Sequence, residues 1–269
     1  MKLYHYTDLN GLKGIIENGS LWATNLYFLN DSQELLHGME CIRKAIPFIT
    51  DSLPRDYVNY IVESMNKYDL RQSKNAYNIS FCLEPELLSQ WRGYASSQGV
   101  CLQFESDDLL QSLNFDDCEY VSNKVIYCEK GETIQAKEQI INFFNSLKQV
   151  ENEEHRMLLE PLHAAKFAST VTPFFKNDRF MEEKEFRFVL YPIKGVHEIN
   201  FRVGKNGLIP YIEIKAHQGD KYRGRMPIEK VIIGPSSNSE LMQNGIRMLL
   251  DQYRYRNTEV ELSQTPYRG

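Results

Sequence analysis

The sequence predicts an α+β fold built around a mixed or antiparallel β-sheet. Helical and strand-like stretches follow one another without the regular alternation that is typical of a doubly wound parallel sheet. The composition includes 16 tyrosines and 14 phenylalanines, residues that favour strands and packed aromatic cores. Residues 3–31 read as a complete strand–helix–strand unit, which supplies two of the strands.

This opening unit has recognisable start and stop signals. Asp8 is a good helix N-cap, and the Asn18-Gly19 pair ends the helix because glycine tolerates the left-handed conformation there. Between them, apolar residues repeat at helical spacing, at Leu9, Leu12, Ile15 and Ile16. We expect the two strands at 3–6 and 21–24.

Hydrophobic periodicity and turn residues predict the remaining elements. Further helices are expected at 31–46, 54–68, 107–113 and 236–253, and further strands at 78–83, 99–105, 120–128, 184–191, 208–214, 230–233 and 258–262. Residues 89–94 form a tight aromatic segment. A mostly helical block at about 131–176 is expected to be an insertion or lid. Because no flexible linker marks a boundary, we predict a single domain over 1–269.

Charge and cysteine content limit the class of protein. The formal net charge of -5 argues against a surface that coats nucleic acid broadly, although a local basic groove is compatible with it. The five cysteines include no CxxC pair, and their odd number, without an export signal, fits a reduced cytoplasmic protein. No metal-ligand spacing is visible, so no metal is expected. No stretch approaches the roughly 20 apolar residues of a membrane span, so no membrane partner is expected.

His5 and Thr7 are polar residues on a strand otherwise built for burial. A buried polar group costs about 2–7 kcal/mol unless it finds a partner. One interpretation is a core histidine hydrogen-bonded to a backbone carbonyl. The other is that both side chains face a cleft and hold a ligand.

A second polar face is expected on the later strand, EKEFRF. Because successive side chains of a strand point to opposite faces, Phe186 and Phe188 share one face, whereas Glu183, Glu185 and Arg187 share the other. The charged face either is solvated, with cross-strand ion pairs, or lines a cleft.

Two aromatic segments are further candidates. Trp91 offers a flat ring and Arg92 a fork of donors suited to phosphate, although a surface turn anchored by the tryptophan is equally compatible. Tyr27 and Phe28, just after the second strand, either stack on a ring or fill the core.

Four segments resemble the bacterial domain-of-unknown-function family 2971. They are LYHYTDLNGLKGIIENGSLWATNLYFLNDSQE, SFCLEPELLSQWRGYASSQGVCLQFE, FMEEKEFRFVL and IEKVIIGP, which are spread over nearly the whole chain. This resemblance does not by itself imply a reaction. The familiar motifs are absent: the sequence has no Walker loop, G-x-G-x-x-G, G-x-S-x-G or H-E-x-x-H.

A wider similarity is to ADP-ribosyltransferases of the His-Tyr-Glu type. In those enzymes a histidine on the first strand and an aromatic residue after the following helix hold NAD, and a glutamate on a later strand is catalytic. The resemblance implies a split β-sandwich around an NAD cleft, with mixed or antiparallel sheets, flanking helices and a helical insertion. NAD is then a substrate, and no metal takes part.

The resemblance also implies a role for individual residues. His5, with Thr7 beside it, would contact the adenosine-side ribose, and Tyr27 would stack on the nicotinamide, with Phe28 or Trp22 as alternatives. Glu185 would be the catalytic acid, with Glu183 as the leading glutamate of a Glu-x-Glu pair. From its side-chain chemistry and the family-like segment around it, Arg92, beside Trp91, is expected near the NAD phosphates. Arg187 is not part of the family motif, and pairing with Glu185 would silence the carboxylate.

The residues support three hypotheses. The first is an NAD-consuming ADP-ribosyltransferase, a toxin or phage-defence effector that modifies protein or nucleic acid and has an antitoxin or regulatory partner. The second is a non-catalytic module of the same fold that binds a nucleotide or a partner. The third is a nuclease with Glu183, Glu185 and His5 around a metal. For the first hypothesis, we expect His5 and Glu185 to face the same cavity.

Overall fold

The contacts of this computed structural model divide the chain into two units. The first comprises Met1–Thr24, Asn78–Ser122 and Glu182–Gly269, and the second comprises Asn25–Tyr77 and Asn123–Met181. The single domain over 1–269 stays a prediction. The structure describes residues 1–29, 34–67, 75–94, 99–129, 133–147, 166–193, 195–204, 207–235 and 239–265.

The helices and strands have the following bounds. The helices are α1 (Leu9–Asn18), α2 (Glu34–Ala45), α3 (Arg55–Lys67), α4 (Leu88–Tyr94), α5 (Ser106–Ser112), α6 (Ile134–Leu147), α7 (Phe167–Val171) and α8 (Ser239–Gln252). The strands are β1 (Lys2–Asp8), β2 (Ser20–Asn25), β3 (Tyr77–Cys82), β4 (Gly99–Glu105), β5 (Cys118–Lys124), β6 (Ile126–Cys128), β7 (Phe175–Asn177), β8 (Glu185–Pro192), β9 (Asn200–Gly204), β10 (Gly207–Lys215), β11 (Ile228–Ile233) and β12 (Glu259–Leu262). Within the described ranges, no helix is both long enough and apolar enough to cross a membrane.

The first unit is organised around one large sheet. Its strands follow the order β12–β11–β4–β1–β3–β2–β10–β9, with β8 beside β3 and β5 beside β8. β1 runs antiparallel to both of its neighbours, β3 and β4, whereas β11 and β12 are parallel. The sheet is therefore mixed and mainly antiparallel, and the predicted α+β class is confirmed.

The opening strand–helix–strand unit forms as its sequence signals predict. The Asp8 side chain accepts a hydrogen bond from the Gly11 amide at 2.7 Å and so caps α1. At the other end Gly19 has a φ of 57° and donates to the Ile15 carbonyl. A β-carbon on Gly19 would come within 1.7 Å of the Gly224 carbonyl oxygen, so only glycine fits.

The second unit is a helical core built from two stretches of chain. Tyr57 of α3 stacks on Phe144 of α6 with 4.8 Å between ring centroids, and Phe144 also stacks on Phe167 of α7. β6 and β7 form a short parallel pair in the same unit. The described parts of the predicted helical block at 131–176 thus share a core with α2 and α3. Residues 131–132 and 148–165 of that block lie outside the described residues, as do residues 31–33, 68 and 236–238 of the other predicted helices.

Candidate functional site

β1 presents two chemically different faces. His5 and Thr7 alternate along it with Tyr4 and Tyr6, as the period of a strand requires. The two tyrosines are buried in an apolar cluster with Cys82, Trp91, Cys101 and Ile232. The polar residues of β1 therefore project away from this cluster.

His5 is held by the neighbouring strand β3. Its Nδ1 lies 3.0 Å from the carbonyl oxygen of Ser80. Because a carbonyl oxygen only accepts, Nδ1 must donate, and the neutral ring then carries Nε2 as an acceptor. Burial lowers the pKa of His5 below its ordinary 6.5, which favours this neutral form at pH 7. The carbonyl-bonded histidine was one of the two interpretations left open by the sequence.

Thr7 lies on the same strand face as His5 and against the start of α1. A β-carbon built on Gly11 would come within 1.9 Å of the Thr7 hydroxyl oxygen. The Thr7 hydroxyl therefore occupies the space that a side chain at Gly11 would need.

Glu185 is the first residue of β8 and forms a buried ion pair with Arg187. Nε of Arg187 donates to Oε1 at 2.7 Å, and a terminal guanidinium nitrogen donates to Oε2 at 2.8 Å. Glu185 is 6% exposed and Arg187 is 2% exposed. The charged face of this strand is therefore enclosed rather than solvated, and the pairing of these two residues that the sequence left open is present.

Ser80 of β3 connects the two candidate residues. Its carbonyl oxygen meets His5, and its hydroxyl donates to Oε1 of Glu185 at 2.6 Å. The His5 ring lies 5.6 Å from that of Phe81, which in turn lies 5.6 Å from that of Phe188 on β8. Because Phe188 and Glu185 point to opposite faces of β8, His5 and Glu185 approach Ser80 from opposite faces of the sheet. The expectation that His5 and Glu185 face the same cavity is therefore wrong.

The two residues nevertheless contact the same residue of β3, Ser80. Within the part of the chain that is described, β1 and β3 pair at Tyr4 and Cys82. Beyond that point the Ser80 carbonyl accepts a hydrogen bond from the ring of His5 rather than from the backbone of β1. His5 and Glu185 thus lie on the two sides of the place where the β1–β3 ladder ends.

Glu183 does not belong to β8. It is the last residue of a 3₁₀ segment, Asp178–Glu183, and Lys184 after it has a φ of 45°. This left-handed residue interrupts the strand alternation just before Glu185. The prediction that Glu183 shares a strand face with Glu185 and Arg187 is therefore wrong.

Trp91 belongs to the core rather than to a ligand site. Its side chain is 1% exposed, it packs edge-on against Tyr6 at 4.9 Å, and its Nε1 donates to Glu86 at 3.2 Å. The residue lies on α4, where the sequence predicted only a tight aromatic segment. Its ring has no exposed face for NAD, so the expected contact of Trp91 with the cofactor is corrected to a packing role.

The other expected ligand residues are accessible. Arg92 follows Trp91 on α4 and is exposed. Tyr27 belongs to the second unit, is 51% exposed and contacts Phe28 edge-on. Of its alternatives, Phe28 is 41% exposed, and Trp22 is 39% exposed and stacks on Tyr211. Their contacts with NAD stay predictions.

The residues that sequence reasoning missed are on β3. Asn78 donates through Nδ2 to the hydroxyl of Ser80 at 2.7 Å. Within the described residues, Oδ1 of Asn78 is buried without a hydrogen-bond partner. The alternation in NISFC, with polar residues at 78 and 80, was the signal in the sequence. An unpaired buried amide oxygen costs about 1–3 kcal/mol, which a bound donor would offset.

Comparison with known families identifies one part of the chain. The family model described as "Protein of unknown function (DUF2971)" matches residues 90–188. The match runs from α4 into β8 and confirms the predicted resemblance to this family over those residues. Among curated proteins, none matches the sequence.

Solved structures of Thermus sp. 2.9 DarT are similar at low identity. In complex with ADP-ribosylated ssDNA, DarT shares 13% identity with a TM-score of 0.36, over 98% of this chain and 94% of that chain. The complex with carba-NAD+ shows 14% identity and a TM-score of 0.35. The complex with NAD+ shows 12% identity and a TM-score of 0.36. Each match covers 98% of this chain and 95% of that chain. Values this low say nothing of the activity of the present protein.

Proposed function

We propose that the protein is an NAD-dependent ADP-ribosyltransferase with a split β-sheet fold, in which Glu185 is the catalytic residue. The observation that supports this most is the enclosed Glu185 carboxylate, which Ser80 links to His5 where the β1–β3 ladder ends. Two groups with chemistry suited to a dinucleotide, 180 residues apart in the sequence, therefore contact the same serine from opposite faces of the sheet.

Glu185 would stabilise the transition state of glycosyl transfer. Breaking the bond between nicotinamide and ribose builds positive charge on the sugar ring. A fixed carboxylate that accepts a hydrogen bond from the neighbouring ribose hydroxyl stabilises that charge more in the transition state than in the ground state. Carboxylates perform the corresponding role in glycoside hydrolysis.

We infer that the pairing with Arg187 orients the Glu185 carboxylate and does not silence it, contrary to the expectation from the sequence. Its two hydrogen bonds need the ionised carboxylate, since a carboxylate accepts at both oxygens, and they fix the orientation of the group. Oε1 also accepts the Ser80 hydroxyl. A ribose hydroxyl that replaced this serine would place the developing sugar charge next to the carboxylate.

His5 would bind a ribose hydroxyl as a neutral ligand. With Nδ1 donating to Ser80, Nε2 accepts, and no change of protonation is required. Thr7 lies on the same face and offers a second hydroxyl. We also propose that Arg92 contacts the NAD phosphates, that Tyr27 stacks on the nicotinamide ring and that Glu183 positions the acceptor.

The nuclease alternative has less support. It needs Glu183 and Glu185 on one strand face, and Glu183 is off the strand. Among the described residues, the side chains of metal-ligand type that converge in a group of three are at another place, in the second unit. The non-catalytic module remains the second candidate, because a buried and fully paired Glu185 also suits a purely structural role.

The acceptor is proposed to be a protein or a nucleic acid, as expected for a toxin or defence effector with a neutralising partner. The experiment is to titrate the purified protein with NAD by calorimetry and then to follow nicotinamide release. Labelled NAD is next offered with single-stranded DNA, RNA or cell protein as acceptor. We expect binding, release and label transfer to one acceptor class. Binding without release would favour the non-catalytic module, and no binding of NAD would overturn the proposed transferase.

A further inference from the structure

Three side chains of metal-ligand type converge in the second unit. His37 and Cys41 lie four residues apart on α2, and therefore one above the other on the same helix face. Cys128 is the last residue of β6 and comes from a stretch 87 residues later in the chain than Cys41. The linear sequence shows no such spacing, which is why no metal was expected from it.

The three ligand atoms form a nearly regular triangle. Nε2 of His37 lies 3.5 Å from Sγ of Cys41 and 3.5 Å from Sγ of Cys128, and the two sulfurs are 3.1 Å apart. Around a tetrahedral zinc ion, with bonds of about 2.3 Å to sulfur and about 2.0 Å to nitrogen, neighbouring ligands would be about 3.5 Å apart for nitrogen and sulfur and about 3.8 Å for two sulfurs. The distances to the imidazole already match, and the thiols need to separate by about 0.7 Å.

We propose that His37, Cys41 and Cys128 bind a zinc ion that fastens α2 to β6, with water as the fourth ligand. Thiolate sulfur and imidazole nitrogen are the donors that zinc prefers, whereas Mg²⁺ and Ca²⁺ prefer oxygen. This inference does not depend on the proposed transfer reaction.

The surroundings suit a structural ion. Cys41 and Cys128 are 1% and 0% exposed and belong to the apolar core of the second unit, together with Met39, Ile42 and Phe175. His37 is half-buried, so the ion has a polar side toward solvent. The ion would replace a direct thiol–thiol contact with bonds that join two distant stretches of the same core.

A disulfide is the competing use of two close cysteines, and the geometry favours the metal. A disulfide needs a separation of about 2.0 Å between the sulfurs and has no role for a third ligand atom. Here an imidazole nitrogen is equidistant from both sulfurs.

The chain offers a matched control in the first unit. Sγ of Cys118 lies 3.2 Å from Nε2 of His197, so this pair copies the cysteine–histidine contact. Within the described residues, no second cysteine joins it in a group of three. Cys118→Ser should therefore leave zinc content unchanged.

The experiment measures zinc released by a thiol-reactive mercurial from native protein purified after growth with zinc. We expect one zinc per chain in the wild type and in Cys118→Ser, and less than a tenth of that in Cys41→Ser and Cys128→Ser. If the cysteine variants fail to fold, His37→Asn is the test, because His37 is only half-buried. This variant should bind zinc at least tenfold more weakly than the wild type. Cobalt added to the metal-free protein should give a thiolate charge-transfer band.

Chelator should also lower the melting temperature of the wild type and of Cys118→Ser but not that of His37→Asn. The proposal is overturned if the wild type holds no zinc and shows no cobalt band with both thiols reduced. It is equally overturned if mass spectrometry of the freshly purified wild type finds a Cys41–Cys128 disulfide in place of bound zinc, or if His37→Asn and Cys41→Ser keep wild-type zinc content.

Discussion

Arg187 and Glu185 form a two-bond ion pair within one strand, at 2.7 Å and 2.8 Å, and both side chains are buried. Removing one member of a buried pair costs about 3–5 kcal/mol, because the other charge stays enclosed without its partner. Arg187→Met is therefore expected to lower the free energy of unfolding by about this amount. Urea denaturation of both proteins measures the difference.

Lys184 and Glu84 form a matched pair at the surface, with side chains 43% and 52% exposed. Lys184→Met is the control and should cost less than about 1 kcal/mol, because water replaces the lost contact. Equal losses for the two substitutions would contradict an energetically significant buried pair at Glu185.

The buried side chain of Trp91 is expected to contribute to the free energy of unfolding. Trp91→Ala should cost about 3–5 kcal/mol, because it leaves a cavity between Tyr6 and Gly234. Leu88 on the same helix is 38% exposed, and Leu88→Ala should cost much less. Thermal melts of both variants test this. A Trp91→Ala protein as stable as Leu88→Ala would contradict the core packing role of Trp91.

Glu86 is expected to make stability depend on pH. Burial raises the pKa of this carboxyl, but hydrogen bonds from Ser263, Thr265, Gln264 and Trp91 outweigh it, so the pKa lies below the ordinary 4.5. The unfolded chain therefore binds the proton first, and the stabilisation is present above pH 4.5 and lost as the pH falls through the lower folded value.

The measurement compares wild type with Glu86→Gln by denaturation across this pH range. The deficit of the variant should be largest at neutral pH and should shrink below pH 4.5, where the wild-type carboxyl takes up its proton. A deficit that stays constant with pH would show that packing, and not charge, is what Glu86 contributes.

Local signals predicted many of the regular elements, although β9 was not predicted and the strand expected at 120–128 is divided into β5 and β6. They could not predict the contacts between distant segments. The cap at Asp8 and the left-handed Gly19 depend on neighbours in sequence, and α1 forms between them as expected. The prediction that Glu183 shares a strand face with Glu185 was wrong because it continued the strand alternation across Lys184. No feature of the sequence indicates the positive φ of Lys184. Ser80 was missed because its importance arises only where β1, β3 and β8 meet.

Burial also separates neighbours that the sequence treated together. Trp91 and Arg92 are adjacent, yet the helix of α4 turns the first into the core and the second toward solvent. Their side-chain chemistry was equally suited to a ligand. Only the packing of α4 against the tyrosine face of β1 distinguishes them.

Arg92 is expected to contribute to NAD affinity. Losing a charge-assisted hydrogen bond to phosphate costs about 1.5–3 kcal/mol, so Arg92→Ala should weaken NAD binding about tenfold to a hundredfold. Arg256 is also exposed, and Arg256→Ala is the control for the loss of one surface charge. Calorimetric titration of both variants tests the assignment, which fails if the two affinities are the same.

Glu185 is the residue on which the proposed reaction depends. Glu185→Gln keeps the size of the side chain and one acceptor oxygen but removes the charge that stabilises the sugar cation. By analogy with the removal of one preorganised electrostatic group, nicotinamide release should fall by about 10²–10³-fold while NAD affinity changes little. Glu183→Gln should affect transfer more than hydrolysis.

Two further variants keep this comparison interpretable. Glu182→Gln removes an exposed carboxylate only three residues away and should leave the rate unchanged. The double variant Glu185→Gln with Arg187→Met removes both buried charges, so it should fold more stably than Arg187→Met alone and still be inactive.

The most direct test is the initial rate of nicotinamide release from saturating NAD, measured at a temperature where all variants are folded. The account predicts a wild-type rate matched by Glu182→Gln and reduced by at least about a hundredfold in both proteins that carry Glu185→Gln. Release at the wild-type rate from a folded, NAD-bound Glu185→Gln protein would contradict it and would make the Glu185–Arg187 pair a structural feature of β8.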